Sequence, residues 1–181
     1  VSQHLSLVGK LAANRSVQIA SEVPGKIQQI DLTDNQEVAQ GQVLVRLADA
    51  KVKANLAEAK AYLKDEQRKL SEFNRLIGQH AITQTEIDAQ LASVDIAKAR
   101  LAAAQADLDY HTLRAPFAGV VGLVDFSLGK MVSAGSELVS LDDLSTMRLD
   151  LQIPERYLSQ IYLGMPVSAS SSAWPGASFI G

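Results

Sequence analysis

Val23-Pro24-Gly25-Lys26-Ile27 leads into Val38-Ala39-Gln40-Gly41-Gln42-Val43-Leu44-Val45-Arg46-Leu47-Ala48-Asp49. Phe117-Ala118-Gly119-Val120-Val121 leads, in the same register, into Val132-Ser133-Ala134-Gly135-Ser136-Glu137-Leu138-Val139-Ser140-Leu141-Asp142-Asp143. A shift of 94 positions lays Gly25 on Gly119, Asp31 on Asp125, Val38 on Val132, Gly41 on Gly135, Leu44 on Leu138 and Asp49 on Asp143. Apolar positions match in kind as well: Ile27 with Val121, Ile30 with Val124, Leu32 with Phe126. A repeat of this sort outranks local propensity. Two copies are too few for a solenoid, so the pair reads as one small domain of two similar halves. The glycines Gly25, Gly41, Gly119 and Gly135 read as its turns.

Around each copy the pattern is that of strands. Val17-Gln18-Ile19 alternates, Lys26 to Leu32 alternates, and Asp34-Asn35 is turn chemistry. Leu5-Ser6-Leu7-Val8 reads as a short strand ended by a polar turn at Gly9-Lys10. Asp142-Asp143 reads as a turn closing the second copy. Beyond it Met147 to Ile153 alternates cleanly. Pro154 then stands as the first residue of a short helix through Ile161, Ser170-Ser171-Ser172 reads as loop, and Val167-Ser168-Ala169 reads as strand. The expected organisation is a first barrel strand over 1–13, half-motifs over 14–49 and 111–143, and an incomplete β-barrel over 144–181.

Between the copies the period changes. From Lys51 to Gly78 no proline or internal glycine occurs, and Leu56, Leu63, Leu70 and Ile77 recur at seven-residue spacing. A second series of Val52, Ala59 and Phe73 is broken by Glu66. Gly78 reads as the helix stop. Thr83 with Glu86 is a capping-box start for a helix bearing Ile87, Val94, Leu101 and Leu108, backed by Ala97 and Ala104. Each helix spans about 25 to 28 residues, roughly 40 Å. The short link predicts an antiparallel hairpin over 50–110, and small Ala side chains let its helices approach closely. Charges on it balance, as on a solvated helix surface. The fold class is therefore α+β and elongated: a β-sandwich split by a coiled-coil hairpin, followed by part of a barrel.

Composition narrows the chemistry. With 17 basic and 20 acidic residues and a net charge of −3, the chain lacks a nucleic-acid-binding surface. No cysteine is present, which excludes disulfides and thiol chemistry. His4, His80 and His111 lack metal-ligand spacing, and neither a nucleophile elbow nor a phosphate-cradling glycine loop occurs. No catalytic, metal or cofactor site is expected. No apolar run is long enough to span a bilayer. Val1 and Gly181 both read as cut ends, so a signal or anchor is expected outside them.

The half-motif, a Gly before an apolar strand and then Val-x-x-Gly-x-x-Leu-x-x-Leu, resembles the halves of a biotinyl/lipoyl domain. A carrier of that type would hold a lysine at a tight hairpin between the halves. Here Ala48-Asp49-Ala50-Lys51-Val52-Lys53 runs into a helix instead, so Lys51 and Lys53 read as first-turn surface residues. The split, the Leu113-Arg114-Ala115-Pro116-Phe117-Ala118-Gly119 stretch and Ile153-Pro154-Glu155-Arg156 resemble the periplasmic adaptors, or membrane fusion proteins of HlyD-like type. The resemblance implies a tripartite assembly across the Gram-negative envelope. In it the adaptor, anchored to the inner membrane, bridges an inner-membrane transporter and a TolC-like outer-membrane channel, and adaptors associate in a ring of six. The hairpin length leans toward an RND transporter over ABC or MFS types. Many RND adaptors carry Arg-x-x-x-Leu-x-x-x-x-x-x-Ser at the hairpin tip. Leu76 and Thr83 hold the Leu and Ser positions here, Glu72 replaces the Arg, and Arg75 is the nearest arginine. Glu72, Arg75, Leu76, Gln79 and Thr83 are thus the expected docking residues. Leu76 also reads as coiled-coil packing and Thr83 as a plain cap. A passive coiled-coil spacer is disfavoured because it would not need a folded sandwich at its base.

Overall fold

The structure, a computed structural model, describes residues 5–172 and 174–181, the side chains of 174–177 excepted. In chain order it contains β1 (Gly9–Ala20), β2 (Gly25–Ile30), β3 (Glu37–Val38), β4 (Val43–Leu47), α1 (Ala50–Ile77), α2 (Gln84–Tyr110), β5 (Thr112–Arg114), β6 (Gly119–Val121), β7 (Met131–Val132), β8 (Glu137–Leu151), a short 3₁₀ helix (Glu155–Gln160), β9 (Ser168–Ser171) and β10 (Trp174–Ile180). It is an α+β chain whose β-sandwich is interrupted by a helical hairpin. Contacts divide it into two units, Ala13–Thr146 and the stretch ending at Ala12 together with Met147–Gly181.

The sandwich reproduces the repeat as symmetry. Its two four-stranded sheets run β1-β8-β6-β3 and β5-β4-β2-β7, and the 94-residue shift carries each strand of one onto its counterpart in the other. The pairing Gly25↔Val132 and Lys26↔Met131 becomes Val38↔Gly119 and Glu37↔Val120. Ile27↔Leu47 becomes Val121↔Leu141. Single hydrogen bonds obey the rule too: Gly41 N–H donates to Ala115 O and Gly135 N–H to Ser21 O, both at 2.7 Å. Short edge strands therefore exchange between halves, so neither half closes its sheet without the other.

The core follows. Ile19, Ile27, Leu32, Val38, Leu44, Val45 and Leu47 pack with their mates Leu113, Val121, Phe126, Val132, Leu138, Val139 and Leu141, and Ala115 and its mate Ser21 are both buried. Strand alternation puts most of these residues inside; the adjacent pairs Leu44-Val45 and Leu138-Val139 are buried together, and the β4–β5 register shifts between Val43 and Val45. Burying a Val, Leu or Ile side chain contributes about 1.5–3 kcal/mol each, so this cluster is the main stabilising element of the unit.

Four local expectations are corrected. Gly41 and Gly135 do turn, at φ 78° and 84°, where glycine is favoured. Gly25 and Gly119 instead open strands β2 and β6. What they need there is room: a Cβ on Gly119 would land on the Asp142 carbonyl oxygen, and one on Gly25 would sit 3.2 Å from Leu47 Cδ1. Gly9-Lys10 begins β1 rather than turning, and Asp142-Asp143 lies inside β8. The reason for the second is that Asp143 is tied down. Its Oδ2 accepts from Arg15 Nη2 at 2.8 Å and Nε at 3.1 Å, and its Oδ1 accepts from the Ser145 hydroxyl at 2.6 Å. Together these hold the carboxyl down to about 2, Ser145 contributing most.

The second unit contains the antiparallel pair β9–β10. Ser170 and Ser171 belong to β9, where a loop was expected. Pro154 is the cap before the 3₁₀ helix, with extended ψ of 139°, rather than its first residue.

Candidate functional site

The hairpin leaves the sandwich at Asp49, the N-cap position of α1. That carboxylate makes no capping bond and pairs instead with Lys53 at 3.0 Å. The helices pack through a heptad seam, and the series read from sequence sets it: Leu56, Ile87, Val94 and Ala97 are buried, with Val52, Ala59, Leu63, Leu70, Phe73 and Ile77 half-buried along the same line.

The break at Glu66 has a partner. Gln90 occupies the facing seam position of α2, and both side chains are buried. Gln90 Nε2 donates to Glu66 Oε2 at 2.7 Å and to the Glu66 carbonyl at 2.9 Å, while Lys69 Nζ donates to Glu66 Oε1 at 3.1 Å. Those donors, Gln90 first, lower the Glu66 pKa below its ordinary value. One polar layer in an apolar seam fixes helix register, because any slip takes the Gln90 donor away from the buried Glu66 carboxylate and leaves it with Lys69 alone. The signal was present in sequence: extending Ala104-Ala97 back by seven residues reaches Gln90, as extending Val52-Ala59 forward reaches Glu66.

At the far end the chain reverses within seven residues. Gly78 is not the left-handed stop that its identity suggests; its φ is −63°. His80 takes that role at φ 57°. Ala81 N–H donates to Leu76 O and His80 N–H to Ile77 O, both at 3.1 Å. This is the Schellman pattern with histidine where glycine is usual. Thr83 then caps α2: its Oγ1 accepts from Glu86 N–H at 3.2 Å and its own N–H donates to Glu86 Oε2 at 2.8 Å, completing the capping box. The Thr83 N–H, and after it the Thr83 hydroxyl donating to the same Glu86 Oε2 at 2.9 Å, lower the Glu86 pKa.

These bonds sort the expected docking residues. Leu76, Gln79 and Thr83 lie together at the reversal, Leu76 half-buried and the other two exposed. Arg75 is exposed and makes no ion pair among the described residues. Glu72 stands further down the helix, held by Arg68 at 2.7 Å, with Arg68 also gripping Asp65 at 2.9 Å. Glu72 and Arg75 thus do not form a common charged group. Of the four glycines, all lie in the sandwich, away from this reversal. His111 ends α2, its Nδ1 2.6 Å from Asp107 O; His4 lies outside the described residues. Among the described residues no three His, Cys, Asp or Glu gather as a metal-ligand set, and no helix is long and apolar enough to cross a membrane. The arrangement is a two-helix hairpin with a small exposed tip.

Residues 15–141 match the family model described as RND MFP, barrel-sandwich hybrid domain. The chain belongs to the RND-type membrane fusion proteins. Across 90% of its length this membrane fusion protein is 31% identical to the multidrug resistance protein MdtA of Proteus mirabilis, of which it covers 44%. Across 97% it is 27% identical to an uncharacterised protein of Haemophilus influenzae, covering 46% of it. The chain thus spans about half the length of the curated relatives it matches. Its fold is shared with a MacA–MexA chimera bearing the Pseudomonas aeruginosa MexA hairpin, at TM-score 0.83 and 22% identity over 96% of this chain and 62% of that one. The membrane fusion protein Spr0693 of Streptococcus pneumoniae R6 gives TM-score 0.71 and 23% identity over 96% and 81%. A split barrel-sandwich is therefore a shared feature of the fold, and the hairpin occupies its opened junction.

Proposed function

We propose that this chain is the hairpin-bearing portion of a periplasmic adaptor in a tripartite efflux pump. The adaptor links an inner-membrane transporter of RND type to a TolC-like outer-membrane channel and serves export of drugs or other small molecules. The observation that carries this reading is the interruption itself. A rigid hairpin, locked in register by Glu66 and Gln90, replaces the loop where a carrier domain would present a modified lysine, so its use is reach rather than group transfer.

On this reading Leu76, Gln79 and Thr83, with Arg75 beside them, meet the channel at the tip. The sandwich bases pack side by side around a conduit, six to a ring, and anchoring to the inner membrane lies with segments beyond this chain. Weak contacts per copy gain strength by repetition. Glu72, ion-paired within its own helix, acts as a helix-surface residue, which leaves Arg75 as the charged member of the tip.

The test is the pair Leu76→Asp and Thr83→Asp in the full-length protein. Asp is as good an N-cap as Thr, so the hairpin persists while the tip gains two charges. Loss of drug resistance with a retained helical signal is expected. Unchanged resistance would sink the assignment of the tip.

A further inference from the structure

The joint between hairpin and sandwich is short on both sides. Ala48 and Asp49 alone separate β4 from α1, and His111 alone separates α2 from β5. Leu47 N–H donates across the joint to His111 O, and Ala48 N–H donates to Lys26 O, both at 2.8 Å. Beside it lies a cleft of about 510 Å³, lined by Lys53 from α1, Asp109 from α2, Arg46 and Arg114 from the sandwich, and Asp49 at the corner.

The repeat explains why this cleft holds unsettled charge. The shift of 94 positions carries Arg15 onto Asp109, and Asp49 onto Asp143. Arg15 and Asp143 form an ion pair at 2.8 Å, whereas their images at the hairpin foot are both acids. Two carboxylates cannot pair, and each turns elsewhere. Asp49 takes Lys53 at 3.0 Å, and Asp109 accepts from the neutral amide of Gln105 at 3.0 Å. Asp109 thus makes no ion pair among the described residues. Arg46 is the complementary case. It is half-buried, its side chain has no partner among the described residues, and its Nε–H is fully buried. An unmade bond from a charged donor is costly. Arg114 already spends one donor on the Gly41 carbonyl at 3.0 Å.

Arg46 belongs to the sandwich, in β4, while Asp109 rides on the last turn of α2. We propose that these two residues form a latch that sets the tilt of the hairpin on its base. With the latch open, as in this structure, Asp109 and Arg46 line one cleft without pairing. With it closed, the guanidinium takes the carboxylate, α2 leans toward β4 and β5, and the cleft narrows. Ala48, Asp49 and His111 absorb the change in backbone angle, and the Glu66–Gln90 layer keeps the helices moving as one body. A lean of about 10° at the foot of a rod of roughly 40 Å moves its tip by about 7 Å. An exposed ion pair is weak, so both states are populated and the tip can choose its direction. The latch holds or fails whatever the tip meets.

The test uses the 181-residue chain, which has no cysteine, so spin labels on Q79C and E37C report one distance between tip and sandwich. Both positions are exposed. Distance distributions are measured by pulsed electron spin resonance in the otherwise unchanged chain and with R46Q, D109N or the swap R46E/D109R added. D107N, on the same turn of α2 but outside the cleft, is the control, and circular dichroism verifies each fold. Two distances are expected in the unchanged chain. R46Q or D109N should shift their ratio about two- to fivefold toward the open state, as should 1 M salt, where screening acts over about 3 Å. The swap should regain the closed state, and D107N should change nothing. A distribution indifferent to both R46Q and D109N, or one that D107N moves as far as D109N does, would overturn the inference. Because Asp109 is exposed, D109N decides the matter even if R46Q disturbs the fold.

Discussion

Replacing Gly119 by Ala tests the claim that the half-motif glycines serve close approach rather than turning. The added Cβ would meet the Asp142 carbonyl oxygen, with Asp142 C at 3.0 Å and Leu141 Cδ1 at 3.3 Å. Val120↔Asp142 is a register pair of β6 and β8, so relief requires the two strands to separate. Overpacking costs about 1–3 kcal/mol, and backbone contact in the sheet centre belongs at the upper end. Loss of unfolded-state freedom returns about 0.4–1 kcal/mol. The net is destabilisation by about 2 kcal/mol, or roughly 4–8 °C in Tm for a chain of this size. At its mate Gly25 the nearest atoms belong to the Leu47 side chain, at 3.2 and 3.4 Å. Leu47 is wholly buried and gives only slightly, so Gly25→Ala costs about 1 kcal/mol. At Gly122 the Cβ meets only the Ser140 hydroxyl, which rotates away, and Gly122→Ala is within about 0.5 kcal/mol of neutral. Urea unfolding of the three variants should rank them Gly119, Gly25, Gly122. Equal costs, or a Gly25 variant worse than Gly119, would show that the facing backbone does not exclude a side chain there.

Three further outcomes follow from the same structure. Asp143 has its pKa depressed to about 2 by Ser145 and Arg15, below the unfolded value near 3.9. Its stabilisation is therefore present above about pH 4 and lost as pH falls toward 2; the gap in urea midpoint between wild type and Asp143→Asn should narrow over that window, and a gap constant from pH 6 to 2 contradicts it. Gln90→Leu should lower Tm by leaving the buried Glu66 carboxylate with Lys69 as its one remaining donor, whereas Glu66→Leu with Gln90→Leu should recover most or all of it and loosen helix register, measurable by spin-label distances between the helices. His80→Gly should stabilise the reversal by about 0.5–1 kcal/mol, since glycine takes the left-handed conformation without the Cβ clash. Slower amide exchange at Ala81 is the readout, and faster exchange counts against the Schellman assignment.

Much of this was legible in the sequence, and for identifiable reasons. The two-halved sandwich could be read because strand alternation, turn glycines and core residues all recur at one interval, so each half corroborated the other. Heptad spacing gave the hairpin and its capping box nearly to the residue. What escaped depended on tertiary context. Asp143 resembled a turn residue because nothing local reveals Arg15, which is 128 positions away. Gly78 looked like the helix stop because glycine is the usual left-handed residue, yet two more residues of right-handed backbone leave that duty to His80. Gly25 and Gly119 were assigned to turns by composition, although the atoms that exclude a side chain come from facing strands. Glu66 was seen as a flaw in one helix; only its juxtaposition with Gln90 makes it a register device. At the tip, the motif located Leu76 and Thr83, while the pairing of Glu72 with Arg68 lay beyond a pattern that treats each position alone.

On the function proposed above, the hairpin tip meets an outer-membrane channel and the foot of the hairpin does not. A photo-crosslinking residue placed at Gln79, in the full-length protein in cells with its pump and channel present, tests it most directly, with the same residue at exposed Glu58 near the foot of α1 as control. A crosslink to the channel is expected from position 79 and none from position 58. A channel crosslink from position 58 alone, or from neither position while efflux continues, would contradict it.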